Sequence, residues 1–291
     1  FAIALPLRFA NHASALAWFP GPGFGTQRPV SPLQWAAQPG ARPFGLGTMF
    51  CVGAVYATVA DVDADGKNEL ILATEEGVEI RSTGDLQTIQ TLLPIPYATW
   101  VSAMDLNGNG RPDLIVSKYD DRVNYETDST IFWNGPDGFS PDRVTLLPTA
   151  GAVGNSAGDL NGDGKPVVIF NCTLQGPSQY DKNFPVYVYM GSKDADYGVH
   201  HRLDLPSGGD TYSYVLADFD LDGYGDLVVT NSVGLRIFPG GPEGPKTDHY
   251  YDLVPYVMNA SQLNAADLNR NGYLDLLMSV QTYDDKPETM A

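Results

Sequence analysis

Short apolar runs rich in β-branched residues recur along the chain, each directly behind a polar segment: "ELILAT" from Glu69, "DLIVSK" from Asp113 and "DLVVTN" from Asp226. Runs of this length bounded by Gly, Asn and Asp predict strands. No i, i+3, i+4, i+7 stripe is sustained long enough to predict a helix. Strands are predicted on both sides of the polar segment, Tyr56–Ala60 leading in and Glu69–Ala73 leading out. The stretches "TIFWNGPDGF" (130–139) and "DRVTLLP" (142–148) supply a third and a fourth per unit. Leu93-Pro94, Leu147-Pro148, Leu205-Pro206 and Val254-Pro255 stand 11 or 12 residues ahead of the next polar segment, where proline is expected to end the outer strand.

The polar segments repeat one another. DVDADGKNEL from Asp61, DLNGNGRPDL from Asp105, DLNGDGKPVV from Asp159, DFDLDGYGDL from Asp218 and DLNRNGYLDL from Asp267 start 44, 54, 59 and 49 residues apart. That spacing suits supersecondary units stacked side by side. All five place Asp or Asn at positions 1, 3 and 5 and Gly at position 6, and four have an acid at position 9. Turn propensity explains Asp, Asn and Gly, but it does not select alternate positions in five registers. A hard cation does: Ca²⁺ takes six to eight oxygens at about 2.3–2.6 Å, and carboxylates at positions 1, 3 and 5 of a tight loop converge on one centre while Gly permits the bend. An EF-hand opens in the same way but needs Glu at position 12 and a helix beyond it. Here position 12 is Leu72, Val116, Phe170, Val229 or Met278, inside the predicted strands.

DxDxDGxxD in a β context over about residues 50–291 resembles the FG-GAP or VCBS repeat family, which includes integrin α-subunit propellers and propeller lectins. The resemblance implies that positions 1, 3, 5 and 9 give side-chain oxygens and position 7 a backbone carbonyl. Site one is then Asp61, Asp63, Asp65, the Lys67 carbonyl and Glu69; site two is Asp105, Asn107, Asn109, the Arg111 carbonyl and Asp113. Site four is Asp218, Asp220, Asp222, the Tyr224 carbonyl and Asp226; site five is Asp267, Asn269, Asn271, the Tyr273 carbonyl and Asp275. Site three has Asp159, Asn161, Asp163 and the Lys165 carbonyl, but Val167 at position 9, so it is expected to be the weakest of up to five structural Ca²⁺ sites. Sites one and four, with four carboxylates each, are expected to bind tightest.

Four antiparallel strands per unit make an all-β fold of propeller blades. Five blades are expected over residues 1–291 as one domain, with six or seven as the alternative. The fifth unit reaches only its second strand near Val280, and "SALAWFPGPGFGTQRPVSP" (14–32) matches the third-and-fourth-strand hairpin. That hairpin is expected to complete the last blade and close the ring, removing two open sheet edges.

Composition alters this picture little. Gly and Pro make about 18% of the chain, above a usual ~12%, as many tight turns require. The net charge of −18 disfavours nucleic acid and anionic membranes as partners. The five loops hold 14 of the 35 acids, and the other 21 nearly balance 17 Lys and Arg, so the acidity is mostly an inventory of ligands. No apolar run approaches the ~20 residues of a membrane helix. The sequence begins at Phe1, so any secretion signal is expected to lie outside it or to have been removed. Cys51 and Cys172 are expected to be free buried thiols.

Strand parity puts the loops between strands two and three, and those between units, on the face opposite the metal loops. Two are long, "YDDRVNYETDS" (119–129) and "TLQGPSQYDKNF" (173–184), and they offer Tyr119, Asp120, Tyr125, Gln179, Tyr180 and Asp181 as a ligand set. Trp100, Tyr212 and Tyr256 approach the same face. Aromatic rings beside carboxylates and amides suit sugars, so carbohydrate or a surface protein is the expected ligand of a secreted or cell-surface binding module. Because no GxSxG, HExxH, phosphate-loop or dinucleotide motif is present, no catalytic residue is assigned. A polysaccharide lyase or hydrolase is the alternative. His200 and His201 read as a solvated pair, and Asn171 and Asn259 head glycosylation triplets.

Overall fold

The continuous apolar character of "DLIVSK", "VVIF" and "DLVVTN" follows from a packed sheet on both of their faces. The computed structural model describes residues 7–9, 12–14, 56–172, 185–192, 194–209, 211–231, 234–253 and 260–280. A short pair, β1 (Leu7–Phe9) and β2 (His12–Ser14), precedes the repeats. Four four-stranded antiparallel sheets then follow in chain order. The first contains β3 (Tyr56–Ala60), β4 (Glu69–Ala73), β5 (Val78–Ser82) and β6 (Thr91–Leu93). The second contains β7 (Ala98–Met104), β8 (Asp113–Lys118), β9 (Glu126–Phe132) and β10 (Val144–Ala150). The third contains β11 (Ala152–Gly158), β12 (Val167–Cys172), β13 (Pro185–Tyr189) and β14 (Arg202–Pro206). The fourth contains β15 (Thr211–Ala217), β16 (Asp226–Asn231), β17 (Gly234–Phe238) and β18 (Tyr251–Leu253). A two-stranded sheet of β19 (Ala260–Ala266) and β20 (Asp275–Val280) completes the described residues. The helical element among them is a single 3₁₀ turn, Val199–His201.

Successive sheets stack face to face, with β3 against β7, β7 against β11, β11 against β15 and β15 against β19. The first strands thus form the inner row, and the fourth strands lie outermost. The core is divided into four layers between neighbouring sheets, and side-chain alternation assigns residues to them. In β8, Leu114 and Val116 enter the layer shared with the first sheet, while Ile115 enters the layer shared with the third. Val168 and Phe170 of β12 face back, while Val167 and Ile169 face forward. Leu227 and Val229 of β16 repeat the pattern against Val228. Each such side chain contributes roughly 1.5–3 kcal/mol on burial. The inner strands are only half-buried along most of their length. They are joined to one another by polar links: Thr99 Oγ1 donates to Ala152 O (3.0 Å) and Leu263 N donates to Ser213 Oγ (3.0 Å).

Two boundaries differ from the expectation. The third strand of the second sheet begins at Glu126, because Thr127, Ser129 and Thr149 satisfy one another across β9 and β10 and let the pairing run on. The loop before it is accordingly 119–125. Pro94 does follow the last residue of β6, and Pro206 ends β14, but Pro148 lies inside β10, opposite Asp128. β10 is an edge strand, so no ladder partner is lost where the ring nitrogen lacks a hydrogen. Pro255 and most of the 14–32 hairpin lie outside the described residues, as does Cys51. Cys172 is a buried free thiol. Asn171, buried at the end of β12, is closed to glycosylation in this fold.

Candidate metal centres and ligand face

The loop joining the first and second strands is wound around its own carboxylates. In all five copies the second oxygen of the position-1 Asp accepts the N–H of the position-6 Gly: Asp61 from Gly66 (2.9 Å), Asp105 from Gly110 (2.7 Å), Asp159 from Gly164 (2.9 Å), Asp218 from Gly223 (3.0 Å) and Asp267 from Gly272 (2.8 Å). Position 5 accepts the N–H of position 7 in every copy, at 2.8–2.9 Å. The bend needs left-handed backbone at position 6, where φ is +77° to +90°, and again at position 4. Position 4 is Gly in two copies and Ala64, Leu221 or Arg270 in the others. A Cβ at Gly66 or Gly223 would meet nothing, so conformation alone demands glycine there.

Position 9 opens the buried second strand, and its carboxylate turns back to accept the position-2 N–H: Glu69 from Val62 (3.1 Å), Asp113 from Leu106 (3.0 Å), Asp226 from Phe219 (2.9 Å) and Asp275 from Leu268 (2.9 Å). The other oxygen of Asp113 accepts from Asn134 N (2.8 Å), and that of Asp226 accepts from Gly240 N (2.8 Å). This acid therefore ties the loop to the turn after the third strand. In the third loop Val167 takes the place and is buried in the forward core layer. That loop lacks the tie.

The oxygens of Asp61, Asp63 and Glu69, and those of Asp218, Asp220 and Asp226, come within 4.8 Å of one another. These are the two loops ranked tightest. Of their position-5 acids, Asp65 is instead held by Lys67 Nζ (3.0 Å), as Asp163 is by Lys165 Nζ (2.8 Å) in the third loop. Those hydrogen bonds hold both carboxyls below the usual range. Elsewhere the acids are under strain. Burial raises Glu69, with Asp63, Asp65 and Asp61 adding repulsion. Burial also pushes Asp113 up to about 6, and Asp220 is raised by desolvation and by Asp226, Asp222 and Asp218. Convergent acids that retain protons too readily are the electrostatic complement of a cation.

On the opposite face, Tyr119 and Tyr125 meet edge to face at 5.2 Å. Asp120 accepts Arg122 N (3.1 Å), and Arg122 reaches Glu75 (2.8 Å) while lying over the Tyr97 ring at 4.7 Å. Beside them an open groove of about 410 Å³ runs along Pro94, Pro96, Lys118, Glu126, Asp128 and Leu146. Sequence reasoning overlooked Arg122, Glu75, Tyr97 and Lys118: Glu75 lies between β4 and β5, Tyr97 precedes β7, Lys118 ends β8 and Arg122 sits in the loop after it, and they share no motif. Trp100 stacks on Tyr56 at 3.2 Å within the inner row. Gln179, Tyr180, Asp181 and Tyr256 lie outside the described residues.

The model of the FG-GAP-like repeat matches residues 61–116, 105–170 and 218–278, more than half of the chain. The chain belongs to that repeat family. Its matched stretches begin at the first Asp of loops one, two and four. No curated protein sequence matches the chain. Among solved structures, this FG-GAP-like protein is similar to an Agrocybe aegerita lectin described as recognising non-reducing terminal N-acetylglucosamine, at 17% identity and a TM-score of 0.48, over 77% of this chain and 60% of that one. It is also similar to the Photorhabdus luminescens Tc holotoxin pore, at 18% identity and a TM-score of 0.39, over 77% and 11% of the two chains. A third similarity is to BBS1N in complex with ARL6DN, at 14% identity and a TM-score of 0.37, over 59% and 49%. The chain thus spans less than two thirds of the length of each. No helix among the described residues is long and apolar enough to cross a membrane.

Proposed function

We propose that this FG-GAP-like chain is a calcium-stabilised, extracellular five-bladed propeller that presents a carbohydrate-binding face opposite its metal loops. The observation that carries the calcium assignment is the convergence of Asp61, Asp63 and Glu69, and of Asp218, Asp220 and Asp226, in loops whose backbone already holds the oxygens in place. The Lys67–Asp65 pair is exposed and screened by solvent, so an ion can draw Asp65 away from it. Extracellular modules bind calcium at roughly 10⁻⁴–10⁻³ M, which suits loops with few charged ligands in an exported protein. The binding face rests on Tyr119, Asp120, Tyr125 and Arg122, which pair ring surfaces with polar groups on a loop held by stacked sheets.

Calcium titration by calorimetry, followed by a glycan array in millimolar calcium, tests both halves. Saturable calcium binding lost in Asp61→Asn and Asp218→Asn, and glycan binding lost in Tyr125→Ala with calcium binding intact, are the expected results. A silent array with a protein ligand captured by the same face would replace sugar with a surface protein. Release of reducing ends or unsaturated uronates would make the chain an enzyme.

A further inference from the structure

One cluster has a chemistry different from that of the repeat loops, although its hairpin packs against the third of them through Tyr197 Oη, which donates to Pro166 O (2.8 Å). The hairpin between β13 and β14 carries Asp196, His200 and His201, whose donor atoms all lie within 4.8 Å of one another. His200 Nε2 is 2.9 Å and His201 Nε2 is 3.7 Å from the same carboxylate oxygen, Asp196 Oδ2. Donors at about 2.0–2.1 Å around a tetrahedral Zn²⁺ stand about 3.3 Å apart, so these separations bracket the edge of such a site.

The surrounding backbone holds the three groups in this arrangement. Asp196 Oδ1 accepts Gly198 N (2.9 Å), which leaves Oδ2 turned toward both imidazoles, and Asp196 N donates to Ser192 Oγ (2.8 Å). His201 N donates to Gly198 O (2.9 Å), and its carbonyl accepts Met190 N (3.0 Å). Gly198 also makes room: a Cβ there would stand 2.6 Å from Cε1 and 2.8 Å from Nδ1 of His200. Its φ of −61° is ordinary, so space for the imidazole is what requires glycine. The adjacent cation Arg202 is already paired with Asp204 (2.7 Å) and does not oppose a metal. All three ligands are partly exposed, which leaves an approach path and a fourth position for water.

We propose that Asp196, His200 and His201 form a surface site for a borderline divalent transition metal of the zinc class, sharing no ligand with the calcium loops. Imidazole nitrogen favours Zn²⁺, Cu²⁺, Co²⁺ and Ni²⁺, whereas the all-oxygen loops favour Ca²⁺. The ion replaces the His200–Asp196 hydrogen bond and pins the outer hairpin of the third sheet.

The test uses the full, tag-free chain, stripped of transition metals and kept in millimolar calcium so that the carboxylate loops are occupied. Zn²⁺ is titrated by calorimetry, and Cu²⁺ is added for electron paramagnetic resonance. The expected result is one equivalent of zinc, and a copper spectrum with coupling to two nitrogens. His200→Ala, His201→Ala and Asp196→Asn each weaken zinc at least tenfold, and Gly198→Ala weakens it while removing no ligand. Unchanged melting temperatures without zinc show that these surface variants fold. A His200→Ala/His201→Ala double variant that keeps the same stoichiometry and affinity overturns the assignment, as does a copper spectrum without nitrogen coupling.

Discussion

Asp113 gives the sharpest test of how the loops store electrostatic strain. Its carboxylate is hidden from solvent and accepts two backbone hydrogen bonds, from Leu106 N and Asn134 N, yet burial still pushes it up to about 6 from an ordinary 3.8. A carboxyl that holds its proton more tightly when folded stabilises the fold fully below about pH 4. That contribution is lost as pH rises through 6. At about 1.4 kcal/mol per pH unit, ionising Asp113 in the calcium-free protein costs the fold up to about 3 kcal/mol. Asp113→Asn removes the ionisation while turning an amide N–H toward a backbone N–H, a pH-independent loss of about 1–3 kcal/mol. Denaturant unfolding of both proteins in chelator at pH 4.5 and pH 7.5 isolates the group, because every other carboxyl titrates in both and cancels. The stability gap between wild type and variant should be wider at pH 4.5 and narrow by about 2 kcal/mol at pH 7.5. With calcium the narrowing should vanish, since an ion beside Asp105 and Asp113 favours the charged form. A gap that is constant with pH in chelator refutes the account of Asp113 as a strained, calcium-awaiting acid.

Chelation should lower the melting temperature of the wild type, since an ion at 100 times its dissociation constant adds about 2.7 kcal/mol per site; the shift should shrink in Asp218→Asn when followed by calorimetric melting. Gly223→Ala should cost about 1–2 kcal/mol in denaturant melts purely from its φ of +90°, because nothing would touch the new Cβ. Gly84→Ala, whose Cβ would sit at an ordinary 3.6 Å from Ser82, serves as its near-neutral control. Arg236→Met should destabilise by about 1–3 kcal/mol, since buried Arg236 binds Asp252 (2.6 and 2.8 Å) and Pro206 O (2.7 Å) and lies 3.8 Å over Tyr250. Removal of residues 1–32 should sharply lower solubility and melting temperature; a truncated chain that melts unchanged refutes the closure of the ring by the 14–32 hairpin.

The strands flanking each loop were legible because their information is local. A short β-branched run after DxDxDG, with no Glu at position 12, reads as a strand, and β4, β8, β12, β16 and β20 all begin at position 9. The start of β9 was not legible, because Glu126–Ser129 are polar and become a strand only through Thr127, Ser129 and Thr149 bonding across it. Pro148 within β10 misled for a related reason: proline signals an ending unless the strand has a free edge, and edges are assigned by the neighbours.

The same division holds for chemistry. Alternating oxygens in five registers set the expectation of a hard cation, since coordination in a tight loop depends on spacing along the chain. The second task of the position-9 acid depended on a turn 14 to 21 residues away, at Gly240 or Asn134, and required the folded sheet. Adjacent histidines at 200 and 201 carried no signal until the turn at Gly198 brought Asp196 against both. Contacts fixed by spacing along the backbone can be read from the order of residues. Contacts made across a sheet or a returning loop depend on register, and packing decides that.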